Sequence, residues 1–114
     1  MHICIQLVRD RLTTPARRYI LRVLGWARKY GIRVKLDLHT APGSQNSYNH
    51  SGKLGAVNWM KGVMGLANAQ RSLDYIRILT QFISQPEWRE VIPLWGIINE
   101  PFMNRIGEQP IQTL

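Results

Sequence analysis

The most constraining feature of this sequence is a helical apolar period that stops at one glycine and restarts as a strand alternation. From Ala16 to Tyr30 the apolar residues Ile20, Val23, Leu24 and Ala27 recur at helical spacing. Thr14 followed by Pro15 suits an N-cap and first helical position. Gly31 suits the left-handed residue that closes a helix. From Ile32 to Leu38, Val34, Leu36 and Leu38 then alternate with Arg33, Lys35 and Asp37, a strand pattern. Helix, glycine stop and strand in immediate succession form the αβ half of a βαβ unit.

The same order recurs once. His39 to Ala56 is a long loop by composition, rich in Pro, Gly, Ser and Asn, and loops of that length are functional or disordered. Asn58 to Gly65 has no clear period. Asn68 reads as an N-cap, and Leu73, Ile76, Leu79, Thr80 and Ile83 form the inner stripe of a helix that stops before Pro86. Val91 to Ile98 is a near-continuous apolar run, predicting a strand buried on both faces. It leads into Asn99-Glu100-Pro101, and the tail to Leu114 is polar and weakly patterned. Both strands thus end in polar groups, Asp37 and His39 on one, Asn99 and Glu100 on the other. Parallel α/β folds build their sites at that edge.

Composition narrows the classes. The 114 residues suffice for one small domain with a modest core. The single cysteine, Cys4, excludes an internal disulfide. No segment approaches the roughly 18 apolar residues of a membrane span, and the N-terminus shows no apolar core of a secretory signal. A net charge of +8 raises nucleic acid as a partner. Arg17, Arg18, Arg22 and Arg28, however, mostly fall on the solvated face of the first helix, so nucleic acid is not expected. Three dispersed histidines and one cysteine give no metal-ligand spacing, and Gly62, Gly65 and Gly96 form no phosphate loop. Neither metal nor cofactor is expected. Trp59, Trp88, Trp95, Met60, Met64 and Met103 read as packing residues. Asn49-His50-Ser51 is an N-glycosylation sequon in form.

Trp26-Ala27-Arg28-Lys29-Tyr30-Gly31-Ile32-Arg33-Val34 leads into Leu36-Asp37-Leu38-His39, then Ala41-Pro42-Gly43-Ser44-Gln45-Asn46, and later Asn99-Glu100-Pro101. This order and spacing, from about Ile20 to Pro101, resemble the fungal exo-β-1,3-glucanases of glycoside hydrolase family 5. The resemblance implies α/β architecture: part of a (β/α)8 TIM barrel, about its third and fourth strands, over residues 19–114. Residues 1–18 form a basic segment that does not match.

It further implies that Glu100 is the acid/base of a retaining hydrolase that releases glucose from β-1,3-glucan. Asn99 is implied to hold the sugar 2-hydroxyl, His39 to line the glucose site and Tyr48 to bind sugar beyond the cleavage point. Asn46, Asn49 and His50 join them as sugar-binding positions, although the family carries an aspartate and an asparagine where this chain has Asn49 and His50. Asp37, pointing to the barrel interior or mouth where it could pair with an arginine, is expected to be structural. Glu108 is too near Glu100 to match the nucleophile, so the chain alone is expected to be inactive; two barrel strands without the rest leave open edges, so it is also expected to be unstable and prone to self-association. Family members work outside the cell or at its surface. Two alternatives are a non-catalytic carbohydrate-binding remnant and a basic nucleic-acid-binding domain.

Overall fold

The computed structural model describes residues 1–5 and 14–112; Arg9, Asp10, Arg11 and Thr13 of the basic stretch lie outside the described residues. The chain runs β1 (His2–Ile5), α1 (Thr14–Lys29), β2 (Lys35–Leu38), a 3-10 turn (Asn49–Ser51), α2 (Gly65–Ile83), β3 (Leu94–Gly96), α3 (Met103–Ile106) and α4 (Glu108–Gln112). The three strands form one parallel sheet in the order β1-β2-β3. His2 faces Lys35 and Ile5 faces Leu38, while Lys35 faces Leu94 and Asp37 faces Gly96. A helix fills each crossover, as parallel pairing requires.

The first helix and its stop follow from local chemistry. Gly31 takes φ 68°, Ile32 N donates to Ala27 O at 2.8 Å, and Gly31 N donates to Arg28 O at 3.3 Å. These are the paired closures of a Schellman motif, which a β-carbon at Gly31 would oppose. Thr14 is already a helical residue rather than the cap its sequence suggests. Arg17, Arg18, Arg22, Arg28 and Lys29 are exposed, and Arg22 sits 5.2 Å from the Trp26 ring centroid. Leu24, Ala27, Val34, Leu36, Leu38, Leu79, Trp88, Val91 and Ile92 make one buried apolar core between the helices and the sheet.

Several expectations change. Asn68 does not cap α2, which begins at Gly65 after Met64. Asn68 is instead buried in the first turn, its Nδ2 donating to Asn58 O at 3.3 Å. Its amide therefore ties the preceding loop to the helix. The inner stripe of α2 is rotated: Thr80 is exposed and Leu73 is 37% exposed, whereas Ser72 is fully buried. Ser72 can be buried because its hydroxyl accepts Trp59 Nε1–H at 2.8 Å and donates to Asn68 O at 2.9 Å.

The strand expected over Val91–Ile98 is only Leu94–Gly96, and it is not buried on both faces, with Leu94 62% and Ile97 47% exposed. Val91 and Ile92 are buried in a turn instead, both amides donating to Trp88 O. Pro93 cannot donate to the ladder, and β3 pairs only with β2 among the described residues. The strand expected from Ile32 is likewise shorter, running from Lys35 to Leu38. The polar tail holds the two short helices α3 and α4, and Ile106 joins Ala41 and Trp59 in a second buried cluster. Finally, β1 places part of the unmatched N-terminal segment in the same sheet. Four residues are too few for a reliable strand period in sequence.

Candidate functional site

The site is the edge where β2 and β3 end. Beyond Leu38 the chain enters the long loop, which is tightly folded. Ser44, Gln45, Asn46 and Ser51 are each at most 2% exposed. The Ser44 and Ser51 hydroxyls bond each other, Ser51 Oγ also reaches Tyr48 O at 2.8 Å, and Asn58 N donates to Gly43 O at 2.9 Å. Gly43 is required there twice over. Its φ is 84°, and a β-carbon would lie 2.6 Å from Asn68 Nδ2 and 2.9 Å from the Asn58 carbonyl carbon.

Buried polar side chains thus do in this loop what apolar ones do under the helices. The non-glycine residues with left-handed φ are Ser44 (68°), Ser47 (65°), Met60 (62°) and Glu100 (44°) among the described residues. Each costs on the order of 1 kcal/mol and persists only where its surroundings dictate it.

This folding gathers several of the residues that the sequence singled out. His39 Nδ1 lies 2.8 Å from Asp37 Oδ2, with the Asp37 side chain 5% exposed. Because the carboxylate accepts, Nδ1 carries the proton. Gly96, opposite Asp37 in the ladder, makes room for that carboxylate: a β-carbon there would lie 2.6 Å from Asp37 Oδ1. The His39 ring centroid is 5.3 Å from that of His50, which is 5.4 Å from that of Tyr48. His50 Nε2 is 3.7 Å from Glu100 Oε2, within ion-pair reach but too long for a hydrogen bond. The Glu100 side chain is 67% exposed, yet it stands beside this imidazole cluster rather than away from it.

Asn99 is half-buried, and its backbone N donates to Leu38 O at 3.0 Å, extending the contact between the two strand exits past Gly96. Asn46 is 1% exposed, and its Oδ1 accepts Tyr48 N–H at 3.0 Å. The Nδ2 groups of both Asn46 and Asn99 are buried without a hydrogen-bond partner among the described residues. Tyr48 is 52% exposed and Asn49 is exposed at the start of the 3-10 turn. Tyr48, His50, His39 and Glu100 therefore share one accessible surface, while Asn46 supports the loop from inside. No group of three or more His, Cys, Asp or Glu side chains among the described residues is arranged to hold a metal ion.

Gln45 is the residue of this region to which the sequence reading gave no role. Its side chain is fully buried, Oε1 accepting Ala41 N–H at 3.0 Å and Nε2 donating to His39 O at 3.0 Å and Asn99 O at 2.9 Å. Two carbonyls and one N–H leave a single amide orientation that satisfies all three. The only sequence signal was an amide in a Gly-Ser-Gln-Asn run, and nothing local marks it as buried.

No family model matches the chain. Among curated proteins it is 48% identical over 86 residues to glucan 1,3-beta-glucosidase D of Emericella nidulans. It is 49% identical over 86 residues to the probable glucan 1,3-beta-glucosidase D of Aspergillus flavus. These matches cover 75% of this chain and 10% of each relative, so the chain spans about a tenth of the length of the curated relatives it matches. The crystal structure of rutinosidase from Aspergillus niger matches with a TM-score of 0.75 at 18% identity, covering 93% of this chain and 31% of that one. At that identity the likeness is one of fold.

Proposed function

Because the chain is a relative of the fungal glucan 1,3-beta-glucosidases over three quarters of its length, we propose that it forms part of a retaining β-1,3-glucan hydrolase. The enzyme is of the family 5 type, and these residues supply about two neighbouring units of its (β/α)8 barrel. Glu100 is the acid/base. It protonates the departing sugar oxygen and then takes a proton from the water that completes the reaction. Asn99 Nδ2 offers a donor to the sugar 2-hydroxyl. His39, oriented through Nδ1 by Asp37, presents Nε2 to the glucose bound before the cleavage point. Tyr48 offers a face to the apolar C–H side of the sugar beyond it. Asn49 and His50 border that sugar, and Asn46 holds the loop that carries Tyr48.

The observation that carries this reading is the convergence of Glu100, His50 and His39 at the C-terminal ends of two parallel strands, with the 3.7 Å and 5.3 Å separations given above.

A retaining mechanism also takes a second carboxylate about 5–5.5 Å from the first. Asp37 is engaged with His39, and Glu108 lies in α4 beyond Gly107. In the family pattern several strand–helix units separate the nucleophile from the acid/base, so on this reading it comes from a longer protein, and the 114 residues alone do not hydrolyse glucan. The substrate, a wall polysaccharide, places the working enzyme outside the cell or at its surface.

Glucose release from laminarin tests this, with product configuration followed by NMR. The complete enzyme is expected to release β-glucose, Glu100→Gln to lose about 10²–10⁴-fold in rate, and the 114-residue chain to release none. A Glu100→Gln variant with undiminished rate defeats the assignment. The exposed Tyr48 and His50 rings favour one second reading, sugar binding without cleavage. Laminaribiose-induced shifts in those two rings, in a protein with no hydrolysis at any length, would select it.

A further inference from the structure

We propose that Gln45 is the positioning residue for the acid/base, fixing the main chain on both sides of Glu100; this rests on the proposed function. Three observations converge on it. Its Nε2 donates to Asn99 O, the carbonyl of the peptide bond whose nitrogen belongs to Glu100, at 2.9 Å. Its own backbone carbonyl accepts Phe102 N–H at 2.9 Å, two residues beyond Glu100. The same Nε2 and the neighbouring Oε1 bind His39 O and Ala41 N, both at 3.0 Å, where β2 leaves the sheet. One buried residue therefore ties the exit of β3 to the exit of β2 and brackets the catalytic position at residues 99 and 102.

Glu100 needs such a bracket. Its φ of 44° is unfavourable for a residue with a β-carbon, and Pro101 follows it, which disfavours the right-handed helical alternative and contributes no N–H of its own. Its carboxylate is mostly exposed, so its own side-chain packing is a weak restraint. The direction in which the carboxyl leaves the main chain is then set by the peptide planes flanking it. Gln45 holds the plane before Glu100 through its side chain, and through its backbone carbonyl it holds the plane between Pro101 and Phe102, one beyond the plane that follows Glu100. A carboxyl displaced by about 1 Å donates its proton poorly to the leaving oxygen. The defect should appear in the step that needs the proton, not in ground-state binding.

That step can be isolated by leaving group. Departure of a second glucose from laminaribiose requires protonation, whereas 2,4-dinitrophenolate departs from its β-glucoside without it. The ratio of kcat/KM for the two substrates is independent of how much of a variant is folded. In the complete enzyme, Gln45→Leu is expected to lower this ratio by about 10–100-fold, with KM for laminaribiose changed by less than about threefold. Glu100→Gln is expected to lower the ratio further.

Gln45→Glu is the second variant, for the case where Gln45→Leu does not fold. Ionised, its carboxylate offers no donor to the two carbonyls; protonated, it restores one. Its ratio relative to wild type is expected to recover as the pH falls. A wild-type ratio in both Gln45 variants, with the Glu100→Gln ratio reduced, overturns the role of Gln45 and leaves the proposed function standing. A wild-type ratio in Glu100→Gln overturns the proposed function itself.

Discussion

The molecule has two interiors built on different rules. Between the helices and the sheet, Leu24, Val34, Leu36 and Leu38 are wholly buried and Leu79 and Trp88 nearly so, an apolar core. At the strand exits, apolar Ala41, Trp59 and Ile106 share the interior with Ser44, Gln45, Asn46, Ser51, Asn68 and Ser72. The first region is held by area removed from water, a non-directional effect that tolerates repacking. The second is held by hydrogen bonds that must be met in number and direction, because an unmet buried polar group is costly. The region of the candidate site is thus the one whose geometry is fixed by directional contacts. Aliphatic packing alone would leave the loop free to settle several ways.

Substitutions on either side sharpen that contrast, measured as stability to urea. The largest loss is expected from Leu36→Ala, about 2–5 kcal/mol, because its fully buried position touches both helices' core. Gly43→Ala should follow at roughly 2–4 kcal/mol. Its β-carbon would enter the space of Asn68 Nδ2 and the Asn58 backbone at a φ of 84°. Here the loop, not the helical core, should lose hydrogen-exchange protection.

Ser72→Ala is expected to cost about 1–3 kcal/mol by leaving Trp59 Nε1 without its acceptor. Replacing Ser72 and Trp59 together, by Ala and Phe, should cost less than the sum of the two single changes. Additive losses would mean that this bond does not organise the second region. Asp74→Asn, which removes an exposed pair with Arg77 at 3.2 Å, is expected to change stability by at most about 0.5 kcal/mol. A larger loss would show that surface charge contributes to a balance here assigned to the two interiors.

What could be read in advance divides along the same line. The Gly31 stop, α1, the core positions Leu24, Ala27, Val34, Leu36 and Leu38, and the existence of α2 follow from period and capping. The face of α2 departs from its period at Leu73 and Thr80, which are exposed, and at Ser72, which is buried. Burial of a serine depends on a tryptophan 13 residues earlier, which no helical period reports. The length of β3 was overestimated because an apolar run records burial but not pairing, and Val91 and Ile92 obtain burial from a turn. At the site, the family resemblance supplied Glu100, Asn99 and His39 as residues. Their joining through Asp37, His50 and Gln45 was not visible in it.

The sequence by itself determined the alternation of helix and strand and the edge at which polar groups collect. Local period, a glycine at a left-handed position and strand-end polarity are properties of neighbours along the chain. Tertiary structure alone decided that Glu100 adopts φ 44° beside His50, that Asp37 turns its carboxylate to His39, and that one buried amide clasps two strand exits. Gln45 and Asn99 are 54 residues apart. A hydrogen bond between them exists only after the sheet has set its register, and no local pattern encodes a contact whose partner is chosen by packing.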